Sequence, residues 1–262
     1  MAKLEAVILD WAGTAVDYGC FAPVQGFVEA FEQFGITPTM EEVREPMGML
    51  KWDHIHTMMQ MPRIRAEWQR TQGRDWTRED VDRVYEVSEG LILSLLHRYA
   101  EPKPHLLEAV AGLRERGLKI GSTTGYTGEM MAIVTAGAAE KGYRPDCWFS
   151  PDAVGNAGRP YPYMVFRNLE ALGVSRVQAA IKVGDTVSDI REGQNAGLLT
   201  VGILEGSSLM GRTQAEYEAL TPAEQQAECD RVRRVYEGCG ADYIIRDLSE
   251  LCPLIDRMAQ GE

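Results

Sequence analysis

The sequence has no apolar stretch long enough to cross a membrane and no recognisable secretion signal. Its 262 residues are 45% hydrophobic, but the apolar residues come in short runs, whereas a transmembrane helix needs about 20 in succession. Residues 1–5, Met-Ala-Lys-Leu-Glu, lead directly into a short apolar run and lack the basic, long apolar and cleavage regions of a signal peptide. We therefore expect a compact cytoplasmic protein with no membrane partner.

Positive charge is also scarce. The chain has 27 Lys and Arg against 39 Asp and Glu, a net charge of −12, and no run rich in Lys or Arg. Attraction to the phosphates of nucleic acid or to anionic lipid is therefore unfavourable overall. A small anionic substrate would need a locally positive pocket.

Cysteine is sparse and unpaired in its spacing. The five cysteines lack the close pairs of a zinc site and the regular framework of a small secreted domain. We expect reduced thiols at all five positions, which are Cys20, Cys147, Cys229, Cys239 and Cys252.

Short apolar runs alternate with helical patterns along most of the chain. This alternation predicts an α/β fold with a doubly wound, mainly parallel, Rossmann-like sheet. The predicted strands are 5–10, 118–124, 147–150, 179–185, 199–204 and 242–245. The predicted helices between them are 106–116, 128–141, 161–172, 187–196 and 222–236.

Residues 20–100 differ, because they show helical periodicity and almost no strand signal. Their longest predicted helix begins at a cap at Thr77 and ends before the prolines at 102 and 104. Its apolar stripe is expected to comprise Val81, Val84, Val87, Leu91 and Leu95. We predict an inserted all-α cap domain at 20–100 and an α/β core domain at 1–19 and 101–262. The alternative is that the helical block belongs to one continuous core.

Four segments at the ends of predicted strands carry residues suited to phosphate or metal. They are Asp10-Trp-Ala-Gly-Thr14, Ser122-Thr-Thr-Gly-Tyr126, Gly158-Arg-Pro-Tyr-Pro162 and Gly184-Asp-Thr-Val-Ser-Asp189. In an open α/β sheet, ligands bind outside the carboxyl ends of the strands. Each segment alone is more often a cap or a turn, but four together favour a phosphate and metal site.

The order and form of these segments resemble the haloacid dehalogenase superfamily. The resemblance implies that Asp10 attacks phosphorus, that Thr124 and Arg159 hold phosphate, and that Asp185 with Asp189 serves a magnesium site. Most phosphatases of that superfamily have a second Asp, a general acid, where this chain has Ala12. Degeneration to an inactive binder is one explanation, but the nucleophile and the metal-site acids remain.

A carbon–phosphorus substrate is the other explanation for Ala12. Cleaving that bond leaves a carbanion rather than an oxygen that needs a proton. A lysine condensed with a neighbouring aldehyde can accept the electron pair. Such a reaction would therefore require a lysine and a phosphono-aldehyde substrate.

Long segments of the chain resemble the phosphonoacetaldehyde hydrolase family, notably 10–23, Pro46-Met-Gly-Met-Leu-Lys51-Trp-Asp-His54, 121–126, 158–162 and 182–189. The resemblance implies that Lys51 forms a Schiff base, that Asp10 is phosphorylated, and that Asp10, the Ala12 carbonyl and Asp185 bind Mg²⁺. It also implies a homodimer built through the cap. The implied supporting residues are Cys20, Met47, Gly48, His54, Thr124, Gly125, Tyr126, Arg159, Thr186 and Asp189. Small departures at Thr14-Ala15 and before Gly158 fall beside the site.

Other interpretations of the same residues remain open. Lys51 could be an ordinary solvated lysine, since lysine is mostly a surface residue. His54 and His56 flank Asp53 at a spacing that suggests a metal site, but without further ligands a polar helix face or a proton shuttle is favoured. For the whole chain, the alternatives are a phosphomonoesterase or phosphomutase, and a non-catalytic phosphate-binding protein.

Overall fold

The computed structural model describes residues 3–260, and its centre is a five-stranded parallel sheet of order β2-β1-β3-β4-β5. The strands are β1 (Ala6–Leu9), β2 (Lys119–Ser122), β3 (Ala180–Gly184), β4 (Leu199–Ile203) and β5 (Tyr243–Ile245). All the pairings are parallel. The predicted α/β fold with a parallel sheet is confirmed.

Twelve α-helices accompany this sheet within residues 3–260. The first five, which lie between β1 and β2, are α1 (Phe21–Gln33), α2 (Met40–Arg44), α3 (Lys51–Gln60), α4 (Pro62–Gln72) and α5 (Arg78–Leu95). The others are α6 (Leu106–Glu115), α7 (Gly128–Glu140), α8 (Tyr163–Leu172), α9 (Val187–Ala196), α10 (Gln214–Glu218), α11 (Pro222–Gly238) and α12 (Leu251–Gln260). No helix in this part of the chain combines the length and the apolar character needed to cross a membrane.

Strand β1 shows why the sheet is wound on both faces. Successive side chains of a strand point to opposite faces, and Val7 and Leu9 pack in the apolar cluster that includes α6, α7 and α12. Ala6 and Ile8 pack instead in a cluster with α8. All four side chains are fully buried, as is usual for a central parallel strand.

The parallel register places the predicted strand ends at one edge of the sheet. Leu9 pairs with Ser122 on one side and with Val183 on the other. The residues that follow each strand therefore emerge together, at the carboxyl edge where ligands of such sheets bind.

The predicted strand at 147–150 is wrong. Only Phe149 makes a bridge there, to Thr123, and its N–H donates to the Ser122 carbonyl at 3.0 Å. The Asp146 carboxylate accepts a hydrogen bond from the N–H of Ile120 at 2.7 Å, so this N–H is not free to pair with a strand at 147–150. A 3₁₀ turn then begins at Pro151, so pairing stops after one bridge.

Helices α1 to α5 pack mainly on one another. Helix α1 crosses α5 closely at Gly26, where a Cβ atom would lie 2.4 Å from Cγ1 of Ile92. One connected set of buried apolar side chains nevertheless runs from Leu9 of the sheet to Phe27 and Trp68 of the helices. Burial alone therefore does not divide the chain, and the boundaries 1–19, 20–100 and 101–262 stay a prediction.

The buried stripe of α5 differs in part from the predicted one. Val81, Val84 and Leu95 are buried as expected, but Val87 and Leu91 are only half-buried. Ser88 and Ile92 take their place, because steps of three and four residues from Val84 continue along that face. The Ser88 hydroxyl is satisfied by donating to the Tyr85 carbonyl at 2.8 Å.

Two linkers join these five helices to the sheet, and they run side by side. Val16 bridges Pro102 in antiparallel fashion, and the N–H of Lys103 donates to the Ala15 carbonyl at 2.8 Å. Asp17 and Cys20 both have φ of 55°, a left-handed conformation that non-glycine residues seldom adopt. Two such residues mark a sharp change of direction where the chain leaves the sheet.

The start of α5 gives a first stability prediction. Asp80 is 1% exposed and accepts hydrogen bonds from Thr77, Arg74 and Arg83. These bonds, that from Arg74 first, hold the pKa of Asp80 well below its usual range. We expect Asp80→Asn to lower the free energy of unfolding by about 1–3 kcal/mol at pH 7, measured by urea unfolding.

The pH dependence of this effect has a definite sign. A depressed folded-state pKa gives stability that is present above the unfolded pKa of about 3.9 and is lost as pH falls toward the folded value. The difference between wild type and Asp80→Asn should therefore shrink below about pH 4. The exposed Glu86 of the same helix supplies the control, since Glu86→Gln should stay within about 0.5 kcal/mol of wild type. An equal loss for both variants would contradict the prediction.

Candidate active site

A small cavity lies at the carboxyl edge of the sheet, beneath helices α1 to α3. Its volume is about 20 Å³, room for roughly one water molecule. The lining side chains therefore fill most of the cavity. The cavity is lined by Asp10, Ala12, Cys20, Pro23, Met47, Gly48, Lys51, Thr124, Gly125, Tyr126, Arg159, Asp185 and Thr186.

Asp10 is the first residue after β1 and is fixed by the sheet. Its N–H donates to the Val183 carbonyl at 3.0 Å, so the backbone continues the β1–β3 pairing. The side chain is 4% exposed, and its Oδ1 accepts from Nη2 of Arg159 at 2.7 Å. The sheet thus holds one carboxylate at the cavity wall with a cation beside it.

Arg159 is the centre of a buried ionic cluster. Its guanidinium also lies 3.0 Å from Oδ1 of Asp189, and its Nε donates to Glu192 at 3.0 Å. Lys182 of β3 donates to Asp189 at 2.6 Å. Each of these side chains is at most 4% exposed. Carboxylates on two sides hold the Arg159 fork rigidly, which suits the binding of phosphate oxygens.

The second acidic position, Asp185, follows β3. Oδ1 accepts from the Thr14 hydroxyl at 3.2 Å, and Oδ2 accepts from the N–H of Ser208 at 2.7 Å. Gly13 packs so closely that a Cβ atom there would lie 2.1 Å from Oδ2. Gly13 has φ of +88°, so this close approach and its backbone conformation both favour glycine.

Asp189 lies one turn into α9 and is already well bonded. It forms a capping box with Thr186, whose hydroxyl donates to Oδ2 at 2.6 Å, while Oδ1 faces Lys182 and Arg159. An acid satisfied by four groups is better suited to orienting its neighbours than to binding a ligand directly. The supporting role of Thr186 and Asp189 at a metal site stays a prediction.

The acidic residues fit a hard divalent cation. Oxygen atoms of Asp10, Asp185 and Asp189 lie within 4.8 Å of one another. Burial raises the pKa of Asp10 and of Asp185, and repulsion from the neighbouring carboxylates raises both further. Among the described residues, five buried carboxylates lie around the cavity: Asp10, Asp17, Asp185, Asp189 and Glu192. Besides Lys51, the buried cations around it are three, namely Lys103, Arg159 and Lys182. An Mg²⁺ ion would offset this excess, and carboxylate and carbonyl oxygens are its preferred ligands.

Lys51 is the first residue of α3 and points inward. It is 4% exposed, and its Nζ lies 5.1 Å from the ring centroid of Tyr126 and 5.7 Å from that of Phe27. Nζ makes no ion pair with any residue in the range 3–260. Burial lowers the pKa of the Lys51 amine. The alternative of a solvated lysine is therefore wrong.

Most of the other predicted residues line the cavity, but one does not. Met47 and Tyr126 wall the cavity, and the Thr124 hydroxyl accepts from the Tyr126 N–H at 3.0 Å. Cys20 also lines it, and burial raises the pKa of its thiol, so the neutral form is favoured. His54 is fully buried but does not line the cavity, because its ring stacks on Phe27 at 4.0 Å, inside the helices.

His54, Asp53 and His56 form no metal site in residues 3–260, where the one cluster with suitable geometry is that of Asp10, Asp185 and Asp189. His56 lies beside Trp52 and Trp76 instead. The polar helix face and the proton shuttle stay predictions for this segment, although His54 itself is fully buried.

Sequence reasoning missed the residues that hold Arg159 and Asp189. Lys182, Glu192 and Thr123 are all fully buried, and the Thr123 hydroxyl donates to Glu192 at 2.7 Å and accepts from Arg159 at 2.9 Å. The signal for Lys182 was present, since a lysine inside an apolar strand requires a buried partner. Thr14, assigned to a position beside the site, in fact contacts Asp185.

Two glycines close the seam between the helices and the sheet edge. Gly48 has φ of +83°, and a Cβ atom there would lie 2.4 Å from Oγ1 of Thr186. A Cβ atom on Gly125 would lie 2.9 Å from the carbonyl oxygen of Met49. The seam therefore has no room for an additional methyl group.

Gly125→Ala tests this seam without backbone strain, because Gly125 does not have a positive φ. We expect the methyl group to hold the helices off the sheet edge and to lower kcat/KM by about 10- to 100-fold, with little change in the melting temperature. Gly90, in α5, has open space around it, and Gly90→Ala should raise stability by about 1 kcal/mol without changing kinetics. Unchanged kinetics for Gly125→Ala would show that the closed seam is not needed.

Comparisons with known proteins agree with this geometry. Residues 4–197 match the family model described as haloacid dehalogenase-like hydrolase, and residues 156–251 match a second, HAD-hydrolase-like model. The chain is 51% identical over 254 residues to a protein of Lysinibacillus sphaericus named phosphonoacetaldehyde hydrolase, covering 97% of this chain and 94% of that one. A Bacillus cereus protein of the same name is 48% identical over 260 residues, with 99% and 98% covered.

A solved structure is also closely similar. The crystal structure of a phosphonoacetaldehyde hydrolase like protein from Oleispira antarctica superposes with a TM-score of 0.94 at 35% identity. The match covers 100% of this chain and 96% of the other. The sheet and the helical block thus belong to a fold seen by crystallography.

Proposed function

The chain is a hydrolase of the haloacid dehalogenase-like family and belongs within it to the phosphonoacetaldehyde hydrolases, and on this basis we propose that it cleaves the carbon–phosphorus bond of phosphonoacetaldehyde to give acetaldehyde and phosphate. The observation that carries the proposal is a buried lysine, Lys51, in the same small cavity as Asp10. A phosphate-ester hydrolase has no use for a desolvated amine at this place. It would instead need an acid at position 12, where this chain has alanine.

Lys51 acts first in this proposal. Its amine must be neutral to attack the aldehyde, and burial favours the neutral form. Condensation forms a carbon–nitrogen double bond and releases water. Once protonated, this imine can accept the electron pair that is released when the carbon–phosphorus bond breaks in the next step.

Asp10 then attacks phosphorus. The new oxygen–phosphorus bond forms as the carbon–phosphorus bond breaks, and the electron pair moves through the adjacent carbon to the imine nitrogen, which leaves an enamine on Lys51. Arg159, which donates to Asp10, would hold the phosphoryl oxygens. Water hydrolyses the aspartyl phosphate, and protonation and hydrolysis of the enamine release acetaldehyde and restore Lys51.

We propose Mg²⁺ as the cofactor, held by Asp10, the Ala12 carbonyl and Asp185, with Thr186 and Asp189 in support. When bound, it would supply positive charge against the repulsion between the Asp10 carboxylate and the anionic phosphonate. The buried residues Thr124 and Arg159 would orient the phosphonate. Cys20, Met47 and Tyr126 would exclude water from the imine.

The direct test is a substrate panel with Mg²⁺. Phosphonoacetaldehyde should yield phosphate and acetaldehyde in equal amounts, whereas simple phosphate monoesters and sugar phosphates should be poor substrates. Preferred ester hydrolysis or phosphate migration would favour the phosphomonoesterase or phosphomutase alternative. Binding without turnover would favour the non-catalytic alternative.

A homodimer built through α1 to α5 and a cytoplasmic location remain proposals. Nucleic acid and membranes are not among the partners we propose, since the net charge of −12 opposes both. Light scattering of the purified protein would measure the oligomeric state. A monomeric mass at micromolar concentration would contradict the dimer.

A further inference from the structure

Arg44, the last residue of α2, reaches from the helices onto a loop of the sheet-bearing part. Its Nη1 donates to the carbonyl oxygen of Gly19 at 2.8 Å and to that of Ser208 at 3.0 Å. Its guanidinium carbon lies 4.9 Å from the ring centroid of Phe21, at the start of α1. One cation therefore contacts the helical block, the first linker and the loop that follows β4.

The loop 206–211 closes tightly around this guanidinium. A Cβ atom on Gly211 would lie 2.8 Å from Nε of Arg44, and Gly211 has φ of +68°. Ser208 is 1% exposed. Because the loop leaves no spare room, the position of Arg44 and the conformation of the loop depend on each other.

Ser208 connects Arg44 to the candidate metal site. Its carbonyl oxygen accepts from Arg44, and its own N–H donates to Oδ2 of Asp185 at 2.7 Å. The two groups flank a single Cα atom, so fixing the carbonyl restricts the backbone dihedral angles that aim the N–H. A contact made by the helices thus reaches, through one residue, the carboxylate that lines the cavity.

We propose that Arg44 is a positioning residue that couples closure of the helices to the orientation of Asp185. With the helices closed, Arg44 holds the Ser208 carbonyl and the Ser208 N–H fixes Oδ2. When the helices lift, Arg44 leaves with α2, the loop is released, and Asp185 loses a fixed donor. The inference rests on the proposed function in one respect, that Asp185 binds Mg²⁺.

The sign of the effect on Mg²⁺ affinity separates positioning from simple charge. Arg44 is a cation near the carboxylates, so removal of its charge alone would strengthen Mg²⁺ binding. Loss of a direct outer hydrogen-bond partner of a metal ligand instead weakens binding, by about 10- to 100-fold. Arg44 acts one residue further out, through Ser208, so its loss should weaken binding in the same direction by a smaller factor. The two explanations therefore predict opposite changes.

Arg44→Met keeps the long stem over Phe21 and removes every donor. We expect the dissociation constant for Mg²⁺ alone, measured by calorimetric titration without substrate, to rise by about threefold to tenfold, less than for loss of a direct partner of the ligand. Arg44→Lys keeps the charge and can donate, so its dissociation constant should lie between those of Arg44→Met and wild type. Arg44→Gln, which removes the charge and has a shorter side chain, replaces Arg44→Met if the latter does not fold, and its dissociation constant should likewise rise above that of wild type.

The control is Arg70→Met, which removes one positive charge from α4, where Arg70 pairs with Glu67 at the surface. It should bind Mg²⁺ like wild type. Unchanged or tighter Mg²⁺ binding by the folded Arg44→Met or Arg44→Gln protein would overturn the inference. Because the titration needs no phosphonoacetaldehyde, failure of the proposed substrate would appear separately, as a wild-type enzyme that binds Mg²⁺ without cleaving the carbon–phosphorus bond.

Discussion

Replacing Lys51 by arginine is expected to lower kcat/KM for phosphonoacetaldehyde by about 10³-fold or more, because guanidinium stays protonated and cannot condense with an aldehyde. Arginine keeps the positive charge and most of the stem. The variant should therefore fold, with a melting temperature within a few degrees of wild type. Its binding of phosphonate, which we propose depends on Arg159 and Thr124, should persist.

Borohydride trapping gives this prediction a chemical readout. In wild-type protein, borohydride with phosphonoacetaldehyde should attach a substrate-derived group to Lys51, found by peptide mass spectrometry, and abolish activity. Lys103 and Lys182 are also buried but donate to a carbonyl oxygen and a carboxylate respectively, so they serve as internal controls that stay unlabelled. Fully active, unlabelled wild-type protein after treatment would rule out the imine.

The sheet and its ligand edge were predictable because their signals are local. The run at 5–10 is apolar and ends in Asp10, and the structure places that residue directly after β1. The capping residue Thr77 begins α5 as predicted, since a cap depends on residues three positions apart. Where a structural feature depends only on contacts within one helical turn, the sequence is enough to predict it.

The predictions that failed depend on packing between distant segments. Steps of three and four residues from Val84 reach both Val87 and Ser88, and the packing of α5 on its neighbours decides which of the two faces inward. The segment 147–150 has strand-like residues, but the Asp146 carboxylate occupies a donor of the neighbouring strand. Both outcomes depend on residues that become neighbours only in the folded structure, and a pattern within one segment of sequence does not reveal them.

The candidate site, too, has features that the sequence predicts and features that it does not. The family resemblance pointed to Lys51, but the burial that lowers its pKa depends on other parts of the chain, and Phe27 and Tyr126 lie beside its amine. The cluster of Arg159 with Glu192 joins residues 33 positions apart. No local rule predicts that contact, because it exists only once the segment before α8 packs against α9.

Asp10→Asn should remove turnover almost completely, by about 10⁴-fold or more in kcat, because the amide is not a nucleophile toward phosphorus. The side chain keeps its shape and one oxygen, which can still accept from Arg159. We therefore expect a folded protein that binds substrate. Asp53→Asn, in α3 and half-buried, is the matched control and should stay within about twofold of wild type.

The two replacements should stop the reaction at different steps. In Asp10→Asn the Lys51 amine is untouched, so borohydride should still label Lys51 while no phosphate is released. In Lys51→Arg neither label nor phosphate should appear. If Asp10→Asn instead released acetaldehyde and phosphate at near wild-type rate, water would be attacking phosphorus directly, and an aspartyl phosphate would have no part in the mechanism. The proposed order of events is therefore tested by comparing borohydride labelling with phosphate release in Asp10→Asn. Imine formation must survive loss of the nucleophile, because the amine and the carboxylate come from different parts of the fold and act on different atoms of the substrate.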